Sequence, residues 1–126
     1  MRLNEECVEK LMLYFEENLS CDTGKIKPIK LKQVYIQGFT DEEFFTAAQF
    51  CAVKGFISGP PGTKAIKDVP PKYMYVAKIE APGWTFLDVI HSDGLMERIH
   101  RANGFQKLCD LITLCKTCTE IAAFFL

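Results

Sequence analysis

Residues 73–90 constrain the fold more than any other stretch of this chain. The run from Tyr73 to Ile79 alternates, which places Tyr73, Tyr75, Ala77 and Ile79 on one expected face and Met74, Val76 and Lys78 on the other. Pro82 suits the first turn of a helix, where a missing N–H costs nothing. Trp84, Phe86, Leu87 and Ile90 then give that helix an apolar face. A strand that runs straight into a helix must dock both elements on one core.

The preceding elements are well punctuated. Val8, Leu11, Met12, Phe15 and Leu19 recur at helical spacing, so a helix is expected from Glu5 to Asn18. Asn4 is its N-cap, Leu3 and Val8 sit at hydrophobic-staple positions, and Glu5, Glu6 and Glu9 complement the helix dipole. Residues 20–24 read as a turn. Residues 25–37 fit either a short strand followed by a short helix or one longer strand, with Pro28 breaking any early helix. Thr40 to Glu43 is a capping box that opens the next helix, with Phe44, Ala47, Ala48 and Cys51 inward and Gly55 closing it. Phe56–Ser58 reads as a strand, and Gly59, Pro60, Pro61 and Gly62 as a turn.

Downstream, Leu95–Arg101 is a short helix stopped by Asn103 and Gly104. Phe105 to Phe125 is expected to form one last helix, apolar around more of its surface than a single core contact needs. From the Thr40 helix onward, the order helix, strand, loop, strand, helix is that of a winged helix-turn-helix. The expected fold is therefore α+β: a winged-helix domain over residues 1–104 and a C-terminal helical extension over 105–126. The extension would pack on the core or join two copies in a homodimer.

Length and composition agree with one folded domain. The chain has 126 residues, 48% of them apolar, which separates it from a disordered chain. No apolar run approaches the roughly 18 residues of a membrane span, and the first residues lack a signal-peptide core, so the expectation is a cytoplasmic protein with no membrane contact. Without an export signal, the six cysteines read as reduced and mostly buried.

The net charge of −1 hides alternating blocks. Residues 23–40 carry four lysines and no acid, and residues 54–78 carry five lysines against Asp68 alone. The acids collect in the helices: residues 1–22 hold six acidic against two basic groups, and residues 41–53 three acids. Local clustering, not the total, decides an electrostatic footprint.

The segment from Asn4 to Asn18 and the segment Gly83-Trp-Thr-Phe-Leu-Asp88 resemble, in that order, two motifs of a small bacterial and prophage-associated winged-helix family of unknown function. Members open with a similar amphipathic helix ending in Leu-Glu-Glu-Asn and carry a Gly-His-Glu-Phe-Leu-Asp segment after a strand. The resemblance covers most of residues 1–104 and implies a winged helix with an added C-terminal helix, but no activity. Trp84 stands where the family often has His, and Ala81 and Pro82 replace a more polar lead-in.

The candidate site is a nucleic-acid interface. Lys25, Lys27, Lys30 and Lys32 precede the second main helix, and Lys64, Lys67 and Lys72 lie on the wing. These lysines would meet phosphates without reading sequence. Thr46, Gln49 and Phe50, with Val53, form the outward stripe of the helix in the recognition position. Asp41, Glu42 and Glu43 at the start of that helix oppose phosphate, and arginine, the commonest base reader, is confined to Arg2, Arg98 and Arg101. Two functions follow: a DNA-binding, transcription-regulatory protein of prophage origin, or a protein-interaction module that keeps the shape without binding DNA. Cys115 and Cys118 have the spacing of zinc and redox sites, although helix packing is the favoured reading. No metal, cofactor or enzyme activity is expected.

Overall fold

The computed structural model describes residues 2–19 and 27–126. The turn expected at 20–24 and Lys25 lie outside the described residues. Helix α1 (Glu5–Asn18) buries Cys7, Val8, Leu11, Met12 and Phe15, the helical stripe of the sequence. The Asn4 side chain accepts from the Cys7 N–H, which satisfies one of the open donors at the helix start.

A short strand β1 (Ile29–Lys30) leads into a single 3₁₀ turn (Leu31–Gln33) that buries Leu31. The stretch left open by the sequence is thus a strand followed by one turn of helix. Helix α2 (Asp41–Val53) begins at the Thr40–Glu43 capping box and buries Phe44, Ala47, Ala48, Cys51 and Ala52. It ends as the sequence predicts. Gly55 takes a positive φ of 75°, its N–H donates to the Ala52 carbonyl, and the Phe56 N–H reaches the Cys51 carbonyl.

The two N-terminal caps are one network. Glu43 accepts from the Thr40 N–H (3.0 Å) with one carboxylate oxygen and from the Asn4 amide with the other. These bonds hold the Glu43 carboxyl below its ordinary value, the Thr40 N–H contributing most. A group with a depressed folded pKa stabilises above the unfolded value and loses that contribution as pH falls through the folded one. Glu43→Gln, which cannot accept from Asn4 in the same way, is expected to lower Tm at neutral pH. The gap to the parent protein should close as the pH is brought below 4.5, and thermal unfolding at several pH values checks it.

Strand β2 (Ile57–Ser58) is followed by a long loop with two 3₁₀ turns, at Ile66–Asp68 and Pro71–Tyr73. Strands β3 (Tyr75–Val76) and β4 (Lys78–Ile79) then run almost without a break, each antiparallel to a different partner. Ile29 faces Val76 in the β1–β3 pair, and Ile57 faces Ile79 in the β2–β4 pair. The change of partner shifts the pleat. Met74 and Val76 are buried with Tyr75 exposed, but Ala77 is also buried, and only then do Lys78 out and Ile79 in resume the alternation. The continuous alternation expected over 73–79 is therefore corrected at Ala77, whose N–H donates to the Ser58 carbonyl (2.8 Å).

Helix α3 (Ala81–His91) buries Gly83, Phe86, Leu87 and Val89. Trp84, expected on its apolar face, is 46% exposed. Helix α4 (Leu95–Arg101) follows. The single helix expected from Phe105 to Phe125 is broken into α5 (Phe105–Thr113) and α6 (Cys118–Phe124). Cys115 adopts a positive φ of 61° at the break, and its N–H and that of Lys116 bond back to the Ile112 and Leu111 carbonyls. The hydroxyl of Thr117 accepts from the Glu120 N–H to start α6.

The break folds the segment back, so that α5 and α6 both lie against α3. Phe105, Leu108, Cys109, Leu111, Ile112 and Ile121 are buried there. The wide apolar surface that suggested a homodimer is thus largely spent inside one chain. Four rings close the centre of the core: Phe56 stacks on Phe86 at 5.1 Å, Phe86 meets Phe105 at 6.0 Å, and Phe50 completes the ring against Phe105 (5.9 Å) and Phe56 (6.2 Å). These contacts join α2, the start of β2, α3 and α5. Among the described residues, no helix is long and apolar enough to cross a membrane.

Candidate functional site

The outward face of α2 and the loop after β2 meet in the structure. Ile66 is buried and pins the loop to the body, and the Gln49 side-chain amide donates to the Lys67 carbonyl (3.0 Å). The loop therefore lies along α2. Thr46, Gln49 and Phe50 come together as expected, in one open, mainly apolar groove of about 740 Å³. Leu3, Phe45, Val53 and Pro71 complete it, with Glu42 at the acidic end.

Each of the three residues expected to face DNA is partly engaged inside the molecule. Thr46 is half-buried. The Gln49 amide is bonded to the loop, and the Phe50 ring packs on Phe56 and Phe105 with the Lys54 ammonium 5.7 Å from its centre. Leu3, Phe45 and Pro71 were missed in the sequence because each comes from a different setting. Leu3 precedes α1, Pro71 sits in the loop, and Phe45 follows the inward Phe44.

The lysines divide. Lys32 and Lys72 line a second groove beside the start of α2, together with Asp41, Val34, Phe44 and Phe45. Lys64 and Lys67 line a third with Ser58, Gly59 and Ala52. Lys27 is exposed ahead of β1, and the Lys30 ammonium lies 5.9 Å from the Tyr75 ring centre. The charge blocks of the sequence thus become two separate lysine pairs and a lysine–tyrosine edge.

The histidines serve packing between distant parts of the chain. His91 bonds Glu16 (2.8 Å), and His100 bonds Glu9 (2.9 Å) and approaches Glu5 (3.3 Å), so both tie α1 to the C-terminal half. Burial pushes the Glu9 carboxyl above its ordinary value, with His100 opposing.

Cys7, Cys51 and Cys109 are free, buried thiols. Burial raises Cys7 to about 11 and Cys109 to about 12, and it raises Cys51 as well. Such thiols act as small apolar groups and hold almost no thiolate at neutral pH. Cys115 and Cys118 do not share a helix: Cys115 is exposed in the turn, and Cys118 starts α6 half-buried. Among the described residues, no group of three or more His, Cys, Asp or Glu side chains is arranged to hold a metal.

No protein-family model matches the chain, and neither a curated protein nor a solved structure does.

Proposed function

We propose that the chain is a winged-helix-shaped interaction module that binds a protein partner through the groove over α2. The order α1, β1, 3₁₀ turn, α2, β2, loop, β3 supports the winged-helix reading, with the second helix cut to one turn. The apolar groove itself carries the functional reading. It occupies the side of α2 that a DNA-binding member would turn to the bases, and its lining favours burial of an apolar surface over hydrogen bonding to base edges. Glu42, the acid that lines the groove at the start of α2, adds a negative end, which suits a partner with basic residues beside its apolar ones. Because fold alone does not define function, the assignment rests on this site.

Val53 is exposed on the groove, so Val53→Asp leaves the core intact while placing a charge in the apolar lining. A photo-crosslinker carried at the exposed position 42, on the same groove, is expected to capture a discrete protein, and Val53→Asp to abolish that capture while circular dichroism stays unchanged. Capture that is indifferent to Val53→Asp would overturn the reading.

A second reading has its own support. Lys32 and Lys72 converge beside the start of α2, and Lys64 and Lys67 line one groove after the turn at residues 59–62, as phosphate contacts of a prophage regulator would. That reading predicts duplex binding that weakens steeply between about 50 and 200 mM salt, with a shallower slope after Lys64→Glu and Lys67→Glu. The protein-partner reading predicts no binding whose salt slope responds to those two changes. Fluorescence anisotropy of a labelled mixed-sequence duplex separates the two.

A further inference from the structure

We infer that Tyr73 and Tyr75, with the lysines around them, form a site for single-stranded nucleic acid, the bases stacking on the two rings and the lysines meeting the phosphates. The tyrosines are two residues apart, at the end of a 3₁₀ turn and the start of β3, and both line one cleft of about 150 Å³ with Pro60, Thr63 and Lys64. They are large aromatic side chains left in solvent, 62% and 46% exposed, in a chain whose phenylalanines mostly pack inward. Each ring has a lysine ammonium over one face. The Lys72 ammonium lies 5.6 Å from the centre of Tyr73, and that of Lys30 lies 5.9 Å from the centre of Tyr75.

The arrangement supplies both halves of single-strand recognition. Aromatic faces accept any base, since every base has a π face, and ammonium groups track the backbone without reading it. Among the described residues, no carboxylate lines the cleft. Asp41 shares the neighbouring groove with Lys72 and offsets part of its charge, so Lys30 and Lys64 are the stronger phosphate partners. A duplex cannot use the rings, because its bases are already paired and stacked. The site is separate from the α2 groove and does not depend on a protein partner binding there.

The test is anisotropy of a labelled oligothymidylate of about 15 nucleotides at about 50 mM salt. Micromolar binding is expected, weaker for a duplex of equal charge and not displaced by a polyglutamate peptide. Replacing both tyrosines by leucine should weaken binding by roughly 10- to 100-fold, and replacing both by phenylalanine should restore it. Both positions are exposed, so the fold should survive, and circular dichroism checks this. Absence of binding, equal binding by the leucine pair, a preference for duplex, or displacement by polyglutamate would each overturn the inference.

Discussion

Phe86→Ala is expected to destabilise the protein by about 3–5 kcal/mol. The ring is fully buried on α3 and touches Phe56 on one side and Phe105 on the other. Alanine would remove the link between the strand region and the C-terminal helices and leave a cavity. Phe50 does not collapse into it easily, because Phe56, Phe105 and the Lys54 ammonium already hold that ring. Against a total of about 5–15 kcal/mol for a domain, the loss is a large share. Urea unfolding followed by circular dichroism measures it. A cost below about 1.5 kcal/mol would mean that the four-ring cluster is not the centre of the core.

Gly83→Ala has the second largest expected effect, and its sign runs against helix propensity. Alanine in place of glycine within a helix ordinarily gains about 1 kcal/mol. At this position an added Cβ would lie 2.3 Å from the Phe56 carbonyl oxygen, 2.8 Å from Ile79 Cγ2 and 3.1 Å from Met12 Cε. The methionine can swing aside. The carbonyl cannot, because it belongs to the backbone and accepts the Glu80 N–H that sets the start of α3 (2.9 Å). Moving it would pull β2 away from β4 or lift α3 off α1. The net loss should be about 2–3 kcal/mol, since overpacking at a rigid contact outweighs the propensity gain. Thermal unfolding of the purified variant decides it, and a variant as stable as the parent would show that α3 can shift without cost.

Much of the local structure was legible because it is written in short-range chemistry. The Asn4 and Thr40–Glu43 caps, the Gly55 stop and the stripe of α1 each depend on neighbours within a few residues. The break between α5 and α6 was not read, because the apolar periodicity running through Leu114 and Cys115 predicted one helix. The structure shows the Thr117–Glu120 capping box that starts α6. The left-handed residue at the break is Cys115, not the glycine that ordinarily marks one, so the stop carried no signal of its own.

The site was less legible than the elements. Thr46, Gln49 and Phe50 share a helix face by spacing alone, and they do line one groove. What that groove is depends on residues far apart in the chain. Leu3 and Pro71 close its edges, the Lys67 carbonyl occupies the Gln49 amide, and Phe105 takes one side of Phe50. The lysine blocks show the same division. Their positions along the chain are plain, but which lysines stand together follows from how the loop lies on α2.

By itself the sequence determined helices α1 to α4, the caps of α1 and α2 and an α+β order of elements, because periodicity and capping act within a turn or two of chain. Only the tertiary structure decided where β3 and β4 change partner and that the last helix folds back onto α3. It also decided that the outward face of α2 is an apolar groove, and that Tyr73 and Tyr75 share a cleft with Lys64. Those outcomes depend on backbone hydrogen bonds and ring contacts between residues distant in sequence, and no local pattern encodes such pairings.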